Sequence, residues 1–261
     1  VQVTYPSGCS NSDTAVITNY AQPVVTPPNP ELCYGDTVNI SAAGANTYLW
    51  FPSAGLSATT GGVVQTFTLV DTFYSVIGTD TNGCTDTSVF FVDVHDLPTF
   101  SIMGSDSVCI GDSVALDFIL TGAGPWDVTY SVQGNTFAIN GIVNDTHTIV
   151  VTDSGTYQPL TVTDIHCSDS GNGSALVHHY PLPTLTLNTL DTAICIGDTL
   201  PLMISGAQTY NWLPIYNATS LVGDSISVYP TVDTTYSVEA TDSNGCVNDD
   251  TVNIVVNPLP I

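Results

Sequence analysis

The stretch Cys33–Trp50 has the sequence CYGDTVNISAAGANTYLW, and its pattern returns twice, as CIGDSVALDFILTGAGPW at Cys109–Trp126 and as CIGDTLPLMISGAQTYNW at Cys195–Trp212. The cysteine and the tryptophan are 17 residues apart each time. A second fixed interval, of 10 residues, joins Tyr74 to Cys84, Tyr157 to Cys167 and Tyr236 to Cys246. Such self-similarity is typical of an array of equivalent units. The 261-residue chain is therefore predicted to be a row of domains of roughly 75 to 85 residues each.

Each unit has the residue pattern of β-strands. Apolar and polar residues alternate after each Gly-Asp turn, as in Val38 and Ile40, which places one strand face on a core. The outer units close on Asn82-Gly83 and Asn244-Gly245, the dipeptide that two-residue hairpin turns favour because both positions need positive φ. No stretch has helical periodicity, and the Val, Thr, Tyr and Ile content favours strands. The sequence predicts an all-β fold, a tandem array of small β-sandwiches.

The cysteines of each unit are predicted to form one disulfide at one end of its sandwich. The first cysteine precedes the second strand and the other follows the last hairpin turn, so we expect the pairs Cys33–Cys84, Cys109–Cys167 and Cys195–Cys246. Loops of about 50 to 60 residues closed in this way stabilise a domain by roughly 4 kcal/mol. The alternative, metal ligation, needs closely spaced cysteine pairs. Seven regularly placed cysteines indicate an oxidising, extracellular setting.

The repeat also predicts the domain boundaries. Residues 1–17 align with residues 238–254, so residues 1–22 are predicted to be the C-terminal hairpin of a preceding truncated repeat, with the partner of Cys9 upstream of residue 1. Complete repeats are predicted at 23–95, 96–180 and 181–257, and residues 258–261 begin the next repeat. The middle repeat has seven extra residues between Trp126 and Tyr157. These predict a longer loop, which is either tolerated surface variation or a binding loop.

The charge balance excludes two classes of partner. The chain has no Lys or Arg against 24 Asp and Glu. Nucleic-acid binding is excluded because phosphates are neutralised by Lys and Arg, and anchoring to anionic lipid is excluded for the same reason. No apolar run is long enough for direct membrane insertion. The acidic surface is either a solvated coat or one that attracts cations or basic surfaces.

The residues offer two kinds of candidate site. Of the five histidines, His178 and His179 are adjacent on a predicted strand and face opposite sides, and no catalytic group repeats between units, so no enzyme is predicted. Asp80-Thr81-Asn82-Gly83 and its counterpart at Asp242 resemble calcium loops, with Asp249 and Asp250 nearby. The full calcium loop with its bidentate Glu is missing, and hairpin chemistry explains the same residues. Calcium stays a weak candidate, and no other cofactor is predicted.

Hydroxyl residues that follow Asp are candidates for O-glycosylation. Asp-(Ser/Thr) followed by an aliphatic residue, Ala or Thr occurs at Thr14, Thr37, Ser107, Ser113, Thr192, Thr199, Ser225, Thr234 and Thr251. The same pairs are also common at turns and strand starts, which is the alternative explanation.

Several motifs together resemble a known group of repeats. The Cys-x-Gly-Asp-(Thr/Ser) opening, the Tyr-x-Trp-x-Pro strand, the Thr-Tyr-Ser-Val run that leads to Asn-Gly-Cys, and the Asn-Pro-Leu-Pro junction are similar to the Ig-like and PKD-like repeats of secreted Bacteroidota cell-surface proteins. Those proteins are usually type IX secretion substrates and include gliding and attachment adhesins. The resemblance implies Ig-like sandwiches, and it strengthens the glycosylation hypothesis, since Bacteroidota modify such Asp-(Ser/Thr) tripeptides.

The sequence thus predicts a structural role. We expect a repeat segment of a long extracellular fibre, stalk or filament, attached to the cell surface, that supports adhesion, motility or sheath formation. Its expected partners are neighbouring copies or repeats of the same protein and surface glycans. One alternative is a glycan- or calcium-dependent binding module, and another is the accessory stalk of a large secreted hydrolase.

Overall fold

The predicted all-β fold is confirmed. The computed structural model describes residues 1–27 and 29–260; Pro28, in the predicted range 23–95, and Ile261, in the predicted range 258–261, lie outside the described residues. The described residues form twenty-four strands and no helix. The strands are β1 Gln2–Thr4, β2 Ser10–Ser12, β3 Glu31–Cys33, β4 Val38–Ser41, β5 Thr47–Phe51, β6 Val63–Thr66, β7 Thr72–Thr79, β8 Thr85–His95, β9 Thr99–Met103, β10 Asp106–Cys109, β11 Val114–Thr121, β12 Trp126–Val132, β13 Asn135–Ile142, β14 Thr146–Val151, β15 Gly155–Thr163, β16 Ser168–Ser170, β17 Ala175–Tyr180, β18 Thr186–Leu187, β19 Thr192–Cys195, β20 Leu200–Ser205, β21 Thr209–Leu213, β22 Ser225–Val228, β23 Thr234–Thr241 and β24 Val247–Asn257.

The first repeat is a two-sheet sandwich around one tryptophan. One sheet has the order β3-β8-β7-β5 and the other pairs β4 with β6. Trp50, Tyr74, Ile40 and Val76 are almost completely buried in its core. The indole nitrogen of Trp50 donates to the carbonyl oxygen of Gly61 at 2.7 Å, and the hydroxyl of Tyr74 donates to that of Ala54 at 2.7 Å. The two large aromatic residues therefore fill the core with their own polar atoms hydrogen-bonded.

The third repeat has the same arrangement. Its sheets have the orders β19-β24-β23-β21 and β18-β20-β22. Trp212 donates to the carbonyl oxygen of Gly223 at 3.0 Å, and Tyr236 to that of Tyr216 at 2.6 Å. The fixed intervals in the sequence therefore reflect equivalent core positions.

The middle repeat differs by an added strand. Its sheets have the orders β10-β17-β15-β12-β13, with β16 also on β15, and β14-β11-β9. The longer loop predicted between Trp126 and Tyr157 is wrong, because this segment contains β13, which pairs with β12. The two strands are joined by Gln133 (φ 50°) and Gly134 (φ 79°), a two-residue turn of the kind that follows strand twist. The extra residues extend a sheet.

The chain divides into two compact units. One comprises residues 1–98 and 165–168, and the other comprises residues 99–164 and 169–261. Within the first unit, β1 and β2 form the hairpin expected for the N-terminal segment, and they are fully exposed. Buried apolar residues form three separate clusters, drawn from residues 25–92, 100–177 and 202–254. Each cluster lies inside one of the predicted repeat ranges, and the exact boundaries stay predictions.

The predicted cysteine pairs Cys33–Cys84, Cys109–Cys167 and Cys195–Cys246 are wrong in this structure. Disulfides join Cys33 to Cys167 in the first unit and Cys109 to Cys246 in the second, with Cα atoms 5.8 and 5.5 Å apart. Each bond connects the opening cysteine of one repeat to the closing cysteine of the following repeat. Cys84 and Cys195 are free thiols, as is Cys9.

Strand direction explains the error. The short strand β3 runs parallel to β8, the last strand of its repeat, and Cys33 is the register partner of His95 at the end of β8. Cys84 comes directly before β8 begins. At roughly 3.3 Å per residue, the two cysteines are about 35 Å apart along the strand, far beyond the 7 Å that a disulfide allows between Cα atoms. The two cysteines of one repeat therefore lie at opposite ends of its sandwich.

Candidate functional site

The disulfide Cys33–Cys167 brings together two histidines that are 71 positions apart in the sequence. His95 is the register partner of Cys33, and His166 is the chain neighbour of Cys167. The sulfur of Cys33 lies 3.6 Å from the carbonyl oxygen of His166. Residues 165–168 belong to the first compact unit, so the whole cluster lies within that unit.

The imidazole rings of these histidines are stacked against a carboxylate. The ring centroids of His95 and His166 are 3.6 Å apart and the planes are inclined by 16°. One oxygen of Glu31 lies 3.5 Å from Nε2 of His95 and 3.8 Å from Nδ1 of His166. A carboxylate oxygen of Asp93 is 4.0 Å from the same Nε2. Nitrogens of two imidazoles thus approach one carboxylate oxygen.

Burial in this cluster is graded. The side chain of His95 is 19% exposed and that of His166 is 29% exposed, whereas Glu31 is 66% exposed. The Nε2 atom of His95 is itself buried and makes no hydrogen bond with the described part of the chain. A buried polar atom without a partner is costly, so such an atom in a native structure calls for a proton-linked or ligand-linked explanation.

The cluster is chemically able to hold a cation. Among the described residues, Glu31, His95 and His166 form the one group of three or more His, Cys, Asp and Glu whose ligand atoms lie within 4.8 Å of one another. A protonated histidine would form an ion pair with Glu31, and a neutral histidine offers a nitrogen lone pair to a metal.

The second disulfide has no such cluster. By strand register and distance from the cysteines, the positions equivalent to Glu31, His95 and His166 are Ser107, Tyr180 and Gly245. None of these side chains is a usual metal ligand. The covalent arrangement repeats, and the histidine and carboxylate chemistry occurs at the first disulfide only.

Sequence analysis missed this cluster, although one signal was present. The closing cysteines Cys84 and Cys246 follow a glycine, and Cys167 follows His166. His166 is therefore the exception among the residues that precede a closing cysteine. Its neighbours His95 and Glu31 can be identified only when the disulfide Cys33–Cys167 is known. The adjacent histidines do lie on a strand, β17, where His178 is exposed and His179 half-buried, as the alternation predicts.

The weak calcium candidates take part in turns. Asp80 accepts hydrogen bonds from the backbone nitrogens of Asn82 and Cys84 at 2.8 Å, and Asp242 accepts the equivalent bonds from Asn244 and Cys246. The bond from Cys246 and the neighbouring ones lower the pKa of Asp242. Desolvation acts to raise the pKa of Asp80, but its hydrogen bonds outweigh this and lower it. The four carboxylates Asp80, Asp242, Asp249 and Asp250 form no metal-holding group in the described chain, and calcium binding stays a prediction.

The candidate glycosylation sites are all accessible to some degree. Seven are exposed and two are half-buried, namely Thr192 and Thr234. The hydroxyl of Thr234 donates to the carbonyl oxygen of Val232 at 2.7 Å. Glycosylation itself stays a prediction.

Comparison with known proteins agrees with this architecture. The family model described as "Nucleoporin POM152, Ig-like domain" matches residues 100–171. The I-band fragment I67–I69 of titin aligns with 92% of this chain and 100% of its own, with a TM-score of 0.55 and 14% identity. The fold is Ig-like. At such identity the likeness concerns the fold alone.

Other solved structures align less closely. A solved chain from a structural study of a 1.5-MDa bacterial ice-binding adhesin aligns over 92% of this chain and 100% of that solved chain, with a TM-score of 0.40 and 13% identity. Immunoglobulin domains 1–5 of Sidekick-1 align over 93% of this chain and 60% of theirs, with a TM-score of 0.39 and 11% identity. No curated protein matches the sequence. The described residues contain no helix with the length and apolar character of a bilayer span.

Proposed function

We propose that this chain is a structural segment of an extracellular fibre, stalk or filament, attached to a cell surface, that supports adhesion, motility or sheath formation. One observation carries the proposal: each disulfide ties the opening of one repeat to the closing hairpin of the next. A binding domain or an enzyme needs no such covalent connection between repeats, whereas a fibre under tension benefits from it.

The two disulfide loops overlap, and this limits how far the chain extends under load. One loop runs from residue 33 to 167 and the other from residue 109 to 246. With both bonds intact, the shortest covalent path between the termini crosses about 105 residues, whereas the reduced chain offers about 260. The bonds thus hold back more than half of the contour length even when every domain unfolds.

Other properties support an extracellular location. Disulfides persist in oxidising compartments, and the acidic surface without Lys or Arg keeps such a chain soluble. The resemblance to Ig-like and PKD-like repeats of secreted Bacteroidota surface proteins supports type IX export and O-glycosylation. The proposed partners are neighbouring copies or repeats of the same protein and surface glycans.

Single-molecule stretching of the full chain tests the load-bearing role. Reduction is expected to lengthen the fully extended chain by about 50 nm, which corresponds to roughly 150 released residues. Cys84→Ser is the matched control, since Cys84 takes part in neither disulfide. We expect this variant to extend like the parent. If the cysteines paired within each repeat, Cys84→Ser would open the Cys33–Cys84 loop, and the oxidised variant would extend by about 50 residues more than the oxidised parent. An oxidised parent that extends as far as the reduced chain would contradict the proposed role.

Mass spectrometry of native, unreduced material reads the same bonds without force. The proposal expects peptides that link Cys33 to Cys167 and Cys109 to Cys246. The same spectra report any glycan mass on the repeat-equivalent, exposed residues Thr37, Ser113 and Thr199. Bare side chains at all three would refute glycosylation there and leave the covalent proposal intact.

A further inference from the structure

We propose that Glu31, His95 and His166 bind a divalent transition-metal ion. The site goes beyond the proposed fibre role and does not depend on it. Two histidines with one carboxylate form a donor set that suits Zn²⁺, and imidazole also suits Cu²⁺ and Ni²⁺. Zn²⁺ is the ion used in the binding experiment.

The distances are close to those of a tetrahedral zinc site. Zinc–nitrogen and zinc–oxygen bonds of about 2.0 to 2.2 Å place neighbouring donor atoms roughly 3.3 Å apart. The oxygen of Glu31 lies 3.5 Å from the nitrogen of His95 and 3.8 Å from that of His166. Zinc binding therefore requires a contraction of a few tenths of an ångström and a rotation of the two imidazole rings, since the in-plane lone pairs of rings inclined by only 16° do not converge. The exposed side chain of Glu31 is able to make the contraction.

The electrostatics of the chain favour a cation at this point. The sequence has no Lys or Arg and a formal net charge of −24, so neither residue type is present to neutralise Glu31 and Asp93. If both stacked histidines were protonated, like charges would lie on rings whose centroids are 3.6 Å apart, which is unfavourable. A bound dication avoids that repulsion and gives a partner to the buried Nε2 of His95.

The disulfide prepares the site by fixing both histidine backbones. His166 adjoins Cys167, and His95 is held beside Cys33 by strand register. The ligands thus come from both sides of the covalent bond, so the metal adds a second cross-link parallel to it. A metal ion held in this way binds the folded state in preference to the unfolded state, so the stability of the fold increases with the metal concentration.

Isothermal titration calorimetry of the oxidised full chain with Zn²⁺, slightly above neutral pH, tests the site. We expect one binding event per chain, and zinc affinity that falls as the pH is lowered, because protons compete with the metal for the imidazole nitrogens. His166→Gly introduces the residue found at the second disulfide, and His95→Tyr does the same for strand β8. Each is expected to weaken binding at least about tenfold, the lower limit seen when even outer partners of a metal are lost.

A matched control separates this site from binding to the acidic surface. His178→Gln removes an exposed imidazole elsewhere and is expected to leave the zinc affinity unchanged. His166→Gln serves as a second site variant in case His166→Gly or His95→Tyr unfolds, and circular dichroism reports folding of each. With Co²⁺ as a spectroscopic probe, the parent is expected to show the visible bands of low-coordinate cobalt, and His166→Gln to lack them. Absence of zinc binding, or equal affinity in His166→Gln and His178→Gln, would overturn the proposal.

Discussion

At the residue scale, an aspartate begins each of the two Asn-Gly turns. Asp242 accepts hydrogen bonds from two backbone nitrogens of its turn, at 2.8 and 2.9 Å, and Asp80 does so in the first repeat. Each carboxylate therefore satisfies donors that the tight turn would otherwise leave without a partner. The short motif Asp-x-Asn-Gly thus has a structural explanation in both repeats.

The charge of Asp242 is expected to make stability depend on pH. Hydrogen bonds lower the pKa of its carboxyl group in the folded state, so its contribution is present above the unfolded pKa of about 3.9 and is lost as pH falls through the lower folded value. Asp242→Asn should be less stable than the parent at neutral pH, and the difference should shrink as the pH falls below about 3.9. Urea unfolding at several pH values measures this.

Asp249→Asn is the control for that series. Asp249 is exposed, and its carboxylate accepts no hydrogen bond from the described residues. We expect Asp249→Asn not to lower the unfolding midpoint at any pH, since the strand partner of Asp249 is the like-charged Glu239. If Asp242→Asn behaves in the same way as Asp249→Asn, the turn carboxylate does not contribute to stability.

At the element scale, a glycine lets the chain that enters a repeat pass close to the turn after β20. A Cβ atom on Gly206 would lie 1.9 Å from the carbonyl oxygen of Thr184, and the same contact exists between Gly44 and Val24 in the first repeat. Both glycines have positive φ, 112° and 99°. The entering segment therefore packs against backbone with no side chain between.

Gly206→Ala is expected to destabilise the third repeat more than Gly223→Ala does. Both glycines have a φ of 112°, so the strain of an alanine is matched, but a Cβ on Gly223 meets nothing within 4 Å. The difference isolates the steric contact and should amount to about 1–3 kcal/mol, as for overpacked sites. Urea denaturation of the two variants measures it, and equal free energies of unfolding would contradict the close approach.

At the scale of the whole molecule, the disulfides follow a rule of succession. The opening cysteines Cys33 and Cys109 each bond to the closing cysteine of the next repeat, so Cys195 and Cys84 are the two unused halves of that pattern. Cys195 is exposed and Cys84 is partly buried. We expect Cys195 of one copy to be able to pair with Cys84 of a second copy.

Mixing complementary variants under oxidising conditions tests this succession between copies. In a Cys9→Ser background, Cys84→Ser keeps Cys195 available, and Cys195→Ser keeps Cys84 available. We expect a disulfide-linked dimer in the mixture that neither variant forms alone, because only the mixture contains both halves. Non-reducing electrophoresis reads the product. Dimers of equal amount in the separate variants would indicate unspecific oxidation and contradict the rule.

The sequence by itself determined the local structure. Period-two alternation, Asn-Gly turns and the fixed cysteine–tryptophan and tyrosine–cysteine intervals predicted strands, hairpins and the repeated aromatic core, because each depends on residues near one another in the chain. The added strand β13 was mistaken for a loop, since its residues are mostly exposed and lack clear alternation.

Only the tertiary structure decided the cysteine pairing and the cluster of Glu31, His95 and His166. The spacing of the cysteines along the chain is compatible both with pairing inside a repeat and with pairing between successive repeats. Pairing inside the first repeat is excluded because β3 runs parallel to β8, which places Cys33 and Cys84 at opposite ends of β8. The cluster of Glu31, His95 and His166 depends on the same long-range bond. A contact between residues 71 positions apart is set by the register of a sheet and by one disulfide, neither of which leaves a local pattern in the sequence.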